Sequence, residues 1–363
     1  MKISAPAGCL HAALSMAALA ADQKLDTPVC ITADRGTIAF RVTNERSFIS
    51  ISASAAANVS EPGNAALSAT KLSRLLAGFA LDTTVSITTA ENAAIVAADA
   101  SRYCLSLTDA QDGLQLDPVT GSAELAADDV LVLLSVLPAA DTAQTRPYLH
   151  GVFLHHSDGR LVGVSTNGHV LLRVDVAGGP LSDDRTLILP TPAAALVARL
   201  LRQTKPEAVS LRRSRVAFEA SWPGISIITA LQIGPFPAYD KVILPRTGAI
   251  ALVQRASLAA ALCRIAAMAL AGPSLLGLSW TDGAPLKLTL LRQPGAVDDS
   301  VSSQSSGAAR KALMLAQFVT LVSEFDDDVI ALEATDGGLQ IRQRHKLACL
   351  VDCSWHFKKR EAA

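Results

Sequence analysis

Tyr148-Leu-His-Gly-Val-Phe-Leu-His-His-Ser-Asp-Gly-Arg-Leu-Val-Gly-Val-Ser-Thr-Asn-Gly-His-Val-Leu-Leu-Arg-Val-Asp175 reads as three strands joined by two tight turns. Residues 148–156 and 160–165 are rich in β-branched and aromatic side chains, and Ser157-Asp158-Gly159 separates them. Asn167-Gly168 offers the φ > 0 pair that a two-residue type I′ hairpin requires. Thr166, Gly168 and His169 are therefore expected together at an exposed hairpin tip. Similar turn chemistry at Ala33-Asp-Arg-Gly36, Trp222-Pro-Gly224 and Asp336-Gly-Gly338 marks further hairpins.

Outside this stretch the pattern repeats. Helix-patterned segments fall near 7–21 and 68–81, then 127–137 and 191–205, then 254–270 and 309–325, with strands between them. Equivalent helices recur at roughly 120 residues, the size of one domain. Ser68 is placed to N-cap one helix, Thr191-Pro192 opens another, and Pro206 ends it. Asp117-Pro-Val-Thr-Gly121 and Leu244-Pro245-Arg-Thr-Gly248 mark boundaries, so the expected domains are 1–120, 121–245 and 246–363. Few helices serving many antiparallel strands is an α+β architecture, here three similar domains with two helices each.

The 363 residues are 50% hydrophobic and carry 32 basic against 33 acidic side chains, a net charge of -1. The total gives no sign of a nucleic-acid partner, but the distribution does. On the helical segments the basic residues are Lys71, Arg74, Arg199, Arg202, Lys205, Arg255, Arg264, Arg310 and Lys311, against the acids Asp128, Asp129 and Glu324. Lys and Arg favour helix C-termini, which explains Arg202 and Lys205 but not the absence of acids from the first turns of three helices. The bias fits helices facing the phosphates of a polyanion, a contact indifferent to base sequence.

Other classes leave weaker traces. Ser165 with His169, or a serine with His155-His156, could be imagined as nucleophile and base of a hydrolase, but no nucleophile elbow, phosphate loop or metalloprotease run accompanies them. Asp326-Asp327-Asp328 reads as a solvated turn. Cys349 and Cys353, with His345 and His356 nearby, lack the spacing of a zinc knuckle and lie on one face of an apolar strand, so buried thiols are expected and no metal or cofactor. Scattered free cysteines suit a cytoplasmic protein. Met1 to Ala21 can be read as a secretory leader of a β-rich binding protein, or as a strand at 1–4 followed by an amphipathic helix. No apolar run is long enough to span a membrane.

The Tyr-Leu-x-Gly strand and the Thr-Asn-Gly-His hairpin resemble the middle domain of the bacterial DNA sliding clamps, the β subunits of replicative DNA polymerase. Phe236-Pro237-x-Tyr239 with Lys241-Val242-x-Leu-Pro is similar to a second motif of that family. The resemblance implies a non-catalytic processivity factor. Its three domains would form a head-to-tail homodimeric ring, helices inside and sheets outside, around double-stranded DNA. It implies a groove for short peptides of a replicative polymerase and a clamp loader, formed by Arg146, Leu149, Thr166, Gly168, His169, Leu171, Pro237, Lys241 and Val242. It also implies a subunit edge at Arg102-Tyr103 facing Ile265 to Met268. Val170 stands where the family usually has Arg, and the chain's last residues depart from the family's Met-Pro-Met-Arg-Leu ending. Both features suit a paralogue serving a phage, a plasmid or a specialised polymerase.

Overall fold

The computed structural model describes all residues except 23–24, 117, 143–144, 180, 182–186, 233, 292–296 and 354–363. Asp117, in one expected boundary, and His356, in the zinc reading, lie outside the described residues. Among the described residues the helices are α1 (Ala7–Ala17), α2 (Ala69–Ala77), α3 (Ala127–Leu134), α4 (Thr191–Thr204), α5 (Arg255–Met268) and α6 (Leu315–Ser323). None is long and apolar enough to cross a membrane. The chain forms two compact units.

The first unit comprises Met1–Leu131, Gly178–Ser182 and Pro192–Leu231. Its five-stranded sheet runs Asn58–Glu61, Lys2–Pro6, Thr84–Thr89, Ala93–Ala98, Ser101–Ser106. Its eight-stranded sheet runs Gly121–Ala126, Ala208–Arg213, Ala217–Trp222, Ile225–Ala230, Ile49–Ala56, Thr37–Asn44, Pro28–Asp34, Gly63–Ser68. Period-two alternation drives the burial: Ile38, Phe40 and Val42 point inward while Thr37, Ala39 and Arg41 do not. Ile225–Ala230 pairs antiparallel with Ile49–Ala56, placing Ile227 opposite Ile51. One continuous sheet therefore runs across the 120/121 boundary expected from sequence.

Lys2–Pro6 is an interior strand, and α1 buries Leu10, Ala13, Leu14 and Ala17. The stretch that could be read as a leader is built into the core of this unit. Ser68 caps α2 as expected, its Oγ accepting from Lys71 N at 3.1 Å.

The second unit comprises Val132–Ala177, Asp183–Thr191 and Gln232–Ala363. Its nine-stranded sheet runs Ile188–Pro190, Gly151–Ser157, Arg160–Thr166, Val170–Ala177, Lys346–Val351, Gly338–Gln343, Val329–Thr335, Arg246–Gln254, Ser303–Ser306. A four-stranded sheet runs Asp298–Val301, Leu286–Leu291, Leu275–Trp280, Ala309–Met314. Leu171 faces Cys349 across the Val170–Ala177 and Lys346–Val351 strands, so this sheet crosses the expected 245/246 boundary.

Three local expectations are corrected. Residues 309–314 form a strand, and only 315–323 are helical, so Arg310 and Lys311 are not helix residues. Ala-Arg-Lys-Ala-Leu-Met has high helix propensity, and pairing with Leu275–Trp280 overrides it. The expected helix at 7–21 ends at Ala17 in a 3-10 turn, and the one at 127–137 ends at Leu134. The hairpin tip is also shifted. Thr166 lies opposite Leu171, which puts Gly168 and His169, not Asn167 and Gly168, at the centre of the turn. Only Gly168 takes positive φ, at 86°, while Asn167 Oδ1 accepts from the amides of His169 and Val170, both at 3.0 Å. A two-residue change of register preserves which face each side chain occupies, and Thr166, Gly168 and His169 remain together at the tip.

Ile51→Ala, at the fully buried join of the eight-stranded sheet, should cost about 2–5 kcal/mol. Ser52→Ala on the opposite face should cost less than about 1 kcal/mol. Urea unfolding of both variants checks the face assignment; equal losses would contradict it.

Candidate functional site

In the second unit, one face of the nine-stranded sheet presents Phe153, Val162, Val164, Leu171, Leu347 and Cys349, and the 236–243 segment packs over it. Phe236 lies parallel to Phe153 with ring centroids 4.7 Å apart. Tyr239 meets both rings edge-on, and its hydroxyl sits 2.9 Å from His155 Nε2. Tyr239–Val242 then forms a short 3-10 turn that turns Lys241 and Val242 outward.

Beside this segment is an apolar cavity of about 320 Å³. Of the residues expected from sequence, Leu149, Thr166, Gly168, His169, Leu171, Pro237, Lys241 and Val242 all line it. Leu149 and Leu171, 4% and 2% exposed, form its floor and belong equally to the core. Val242, 54% exposed, forms a rim. Lys241 and His169 are exposed at the mouth, where the Lys241 ammonium brings a positive charge.

Arg146 does not line the cavity. It acts from behind the hairpin, where Nη2 pairs with Asp141 at 2.8 Å and donates to Asn167 O at 3.0 Å. A side chain at Gly168 would bring its Cβ within 2.9 Å of Arg146 Nη1 and displace that guanidinium, while the positive φ is what calls for glycine. The Thr166 hydroxyl is used inside the same tip, donating to Val170 O at 2.6 Å and accepting from Gly168 N at 3.1 Å.

Sequence reasoning did not assign the far wall, contributed by Leu244, Thr335, Gly337, Leu339, Gln340, Cys349, Leu350 and Val351. The alternation of Cys349 and Val351 along one strand face was the available signal. Cys349 and Cys353 are buried free thiols, and among the described residues no group of three or more His, Cys, Asp or Glu could hold a metal ion.

The basic residues separate into two groups. Lys71, Arg74, Arg199, Arg202 and Lys205 are exposed on α2 and α4 or at the end of α4, and among the described residues none forms an ion pair. In the second unit, Arg255 Nε donates to Asp327 O, Arg264 pairs with Asp299 at 2.8 Å, and Arg310 is exposed on its strand. Lys311 departs from expectation: its amine pairs with Asp352 at 3.7 Å and donates to Thr335 O at 2.6 Å, which removes it from any DNA-facing surface.

Arg102 and Tyr103 lie exposed on Ser101–Ser106, an edge strand of the five-stranded sheet. Met268 is 62% exposed at the end of α5, but Ile265 is 2% exposed on that helix's buried face with Leu258 and Leu262. Ile265 is a core residue, not an interface side chain.

Burial pushes the Cys349 thiol up to about 12. At pH 8 roughly one such thiol in ten thousand is ionised. A thiolate-selective reagent at that pH should label exposed Cys104 and spare Cys349 until the protein unfolds, as peptide mapping after labelling would show.

No protein-family model matches the chain. Among curated proteins it is similar to the beta sliding clamp of Pseudomonas aeruginosa, 29% identical over 195 residues, 53% of each chain. The chain thus aligns with about half the length of the curated relatives it matches. In three dimensions the likeness spans nearly everything. The crystal structure of the DNA polymerase III subunit beta from P. aeruginosa superposes with a TM-score of 0.90 at 18% identity, covering 97% of this chain and 99% of that one. A P. aeruginosa sliding clamp bound to griselimycin superposes with a TM-score of 0.87 at 19% identity over the same shares of the two chains. In fold, and over the half of its sequence that aligns, the chain is similar to the bacterial beta sliding clamps.

Proposed function

We propose that the protein is a DNA polymerase processivity factor, a non-catalytic clamp that encircles duplex DNA and tethers a polymerase through a hydrophobic peptide groove. The observation that carries this reading is the cavity itself. Two motifs far apart in sequence, 148–171 and 236–242, meet around one apolar cleft of peptide-binding size on a clamp fold. A related clamp structure holds the ligand griselimycin. The free cysteines accord with action in the cytoplasm.

In this reading the chain divides into three clamp domains at 120/121 and 245/246 and closes a head-to-tail homodimer through the Arg102-Tyr103 edge. A loader would use the same groove as the polymerase. The cations of α2 and α4, without ion-pair partners among the described residues, would face DNA phosphates without reading bases. A clamp for a specialised polymerase is the second reading, favoured by Val170. Only 4% exposed, it gives the cavity wall an apolar side chain where the family usually carries Arg.

Burying an apolar anchor side chain in the groove should contribute on the order of 1.5–3 kcal/mol. Leu171 is too deep for a charge probe, because Asp there would disrupt the core. Val242→Asp at the rim should instead lower affinity for a Gln-Leu-x-Leu-Phe peptide at least about tenfold while leaving the circular-dichroism spectrum unchanged. Fluorescence titration decides, and equal binding by parent and variant would move the site elsewhere. Replacing both Arg199 and Arg202 by Glu should shorten retention on circular duplex DNA and flatten its salt dependence without altering stability. Unchanged retention would remove α4 from the DNA path.

A further inference from the structure

Gln340 is 1% exposed, yet it lies on the wall of the groove. Both ends of its amide are engaged. Nε2 donates to Leu244 O at 2.8 Å, and Oε1 accepts from Arg342 Nη2 at 2.7 Å. A guanidinium can only donate and a carbonyl can only accept, so the two partners determine which way the amide faces.

Arg342 is held in turn. Its Nε donates to Glu333 Oε2 at 3.2 Å, and Glu333 Oε1 accepts from Arg246 Nη1 at 3.0 Å. Glu333 is 5% exposed and lies between the two guanidinium groups. The relay runs from Arg246 through Glu333, Arg342 and Gln340 to Leu244, two residues before it began. It closes a ring of hydrogen bonds at the C-terminal end of the segment that forms one groove wall.

That wall has other attachments on either side of Leu244: Ile243 packs against the core, and Arg246 joins the sheet opposite Thr335. Phe236 and Tyr239 fasten its beginning by ring packing on Phe153. Past that point the backbone bonds are local: Lys241 N to Ala238 O and Ile243 N to Asp240 O. Val242, at the rim, sits between the ring anchor and the Leu244 carbonyl.

We infer that Gln340 is a positioning residue of the groove, latching Leu244 so that the Val242 wall stands at the spacing a peptide side chain requires. This rests on the peptide-groove reading above. One N–H and one lone pair of the amide are committed to Leu244 and Arg342, and with only 1% of the residue exposed Gln340 acts chiefly through the wall it holds.

Two variants and two readouts test it. Gln340→Met keeps length and volume but removes the amide. Arg342→Met removes the donor that orients the amide, without touching the groove lining. Hydrogen–deuterium exchange should show residues 239–244 exchanging about tenfold faster in Gln340→Met and less so in Arg342→Met. Exchange in Gly338–Gln343 and Lys346–Val351 should stay at parent levels. Affinity for the Gln-Leu-x-Leu-Phe peptide should fall about tenfold in Gln340→Met and by a smaller factor in Arg342→Met.

Unaltered exchange at 239–244 in both variants overturns the latch. So does a loss of protection spread over both strands, which would mark a purely structural role. Loosening of 239–244 with undiminished peptide affinity overturns the positioning role. If the parent itself does not bind the peptide, the groove reading fails, and the exchange data alone decide whether Gln340 latches the wall.

Discussion

The second unit depends on the parallel contact between Phe153 and Phe236. A sheet that turns Phe153, Val162, Val164, Leu171, Leu347 and Cys349 to one side must have that side covered, and the 236–243 segment together with Tyr148 and Leu149 does so only in part. Ring pairs of this kind contribute about 0.5–1.5 kcal/mol beyond the area they bury, enough to determine where the segment lies. What the segment leaves uncovered is the cavity. The candidate site is therefore the unfilled remainder of a core, which is why Leu149 and Leu171 serve both. An apolar surface of this kind, kept open with exposed Lys241 and His169 at its mouth, is a feature that binding explains and stability does not.

Charge is distributed by the same logic of saturated and unsaturated groups. Several strand arginines are matched: Arg160 and Arg173 share Asp175, Arg212 pairs with Glu219, and Arg246 and Arg342 share Glu333. The cations of α2 and α4 have no such partners among the described residues. A net charge of -1 thus conceals an uneven distribution, in which buried acids such as Asp175, Glu219 and Glu333 are committed to strand arginines. Unpaired cations on helices do little for the fold, and their field is left for something outside the chain.

Much of this was legible in the sequence, for reasons that can be stated. Period-two patterning and glycine turns identify strands whatever their partners, so the hairpins at 151–177 followed directly from composition. It was the resemblance to sliding clamps that assigned Pro237 and Val242 to the same cleft as Leu149 and Leu171, since nothing local connects them. What stayed illegible depended on tertiary pairing. Ala309–Met314 has the composition of a helix, and only Leu275–Trp280 lying beside it makes it a strand. The inward orientation of Ile265 depends on a single step around α5. The far wall of the groove could not be assigned because Gln340 and Leu244 bear on it through a hydrogen bond that no periodicity encodes. The hairpin tip moved because an Asn side chain competed with the backbone for the same amides, a local effect that dipeptide rules overlook.

The pairing of Ile49–Ala56 with Ile225–Ala230 bears on how the chain comes to be folded during synthesis. The early strand emerges from the ribosome long before its neighbour, and until residue 230 is made it presents an open row of backbone donors and acceptors. The same holds for Val170–Ala177, whose partner Lys346–Val351 is translated much later. A nascent chain stopped at the 120/121 boundary would hold half a sheet with an adhesive edge, so neither compact unit can mature in the order in which it is translated. Contacts of such long range make folding slow and leave the unfinished chain prone to pairing with its neighbours on the polysome.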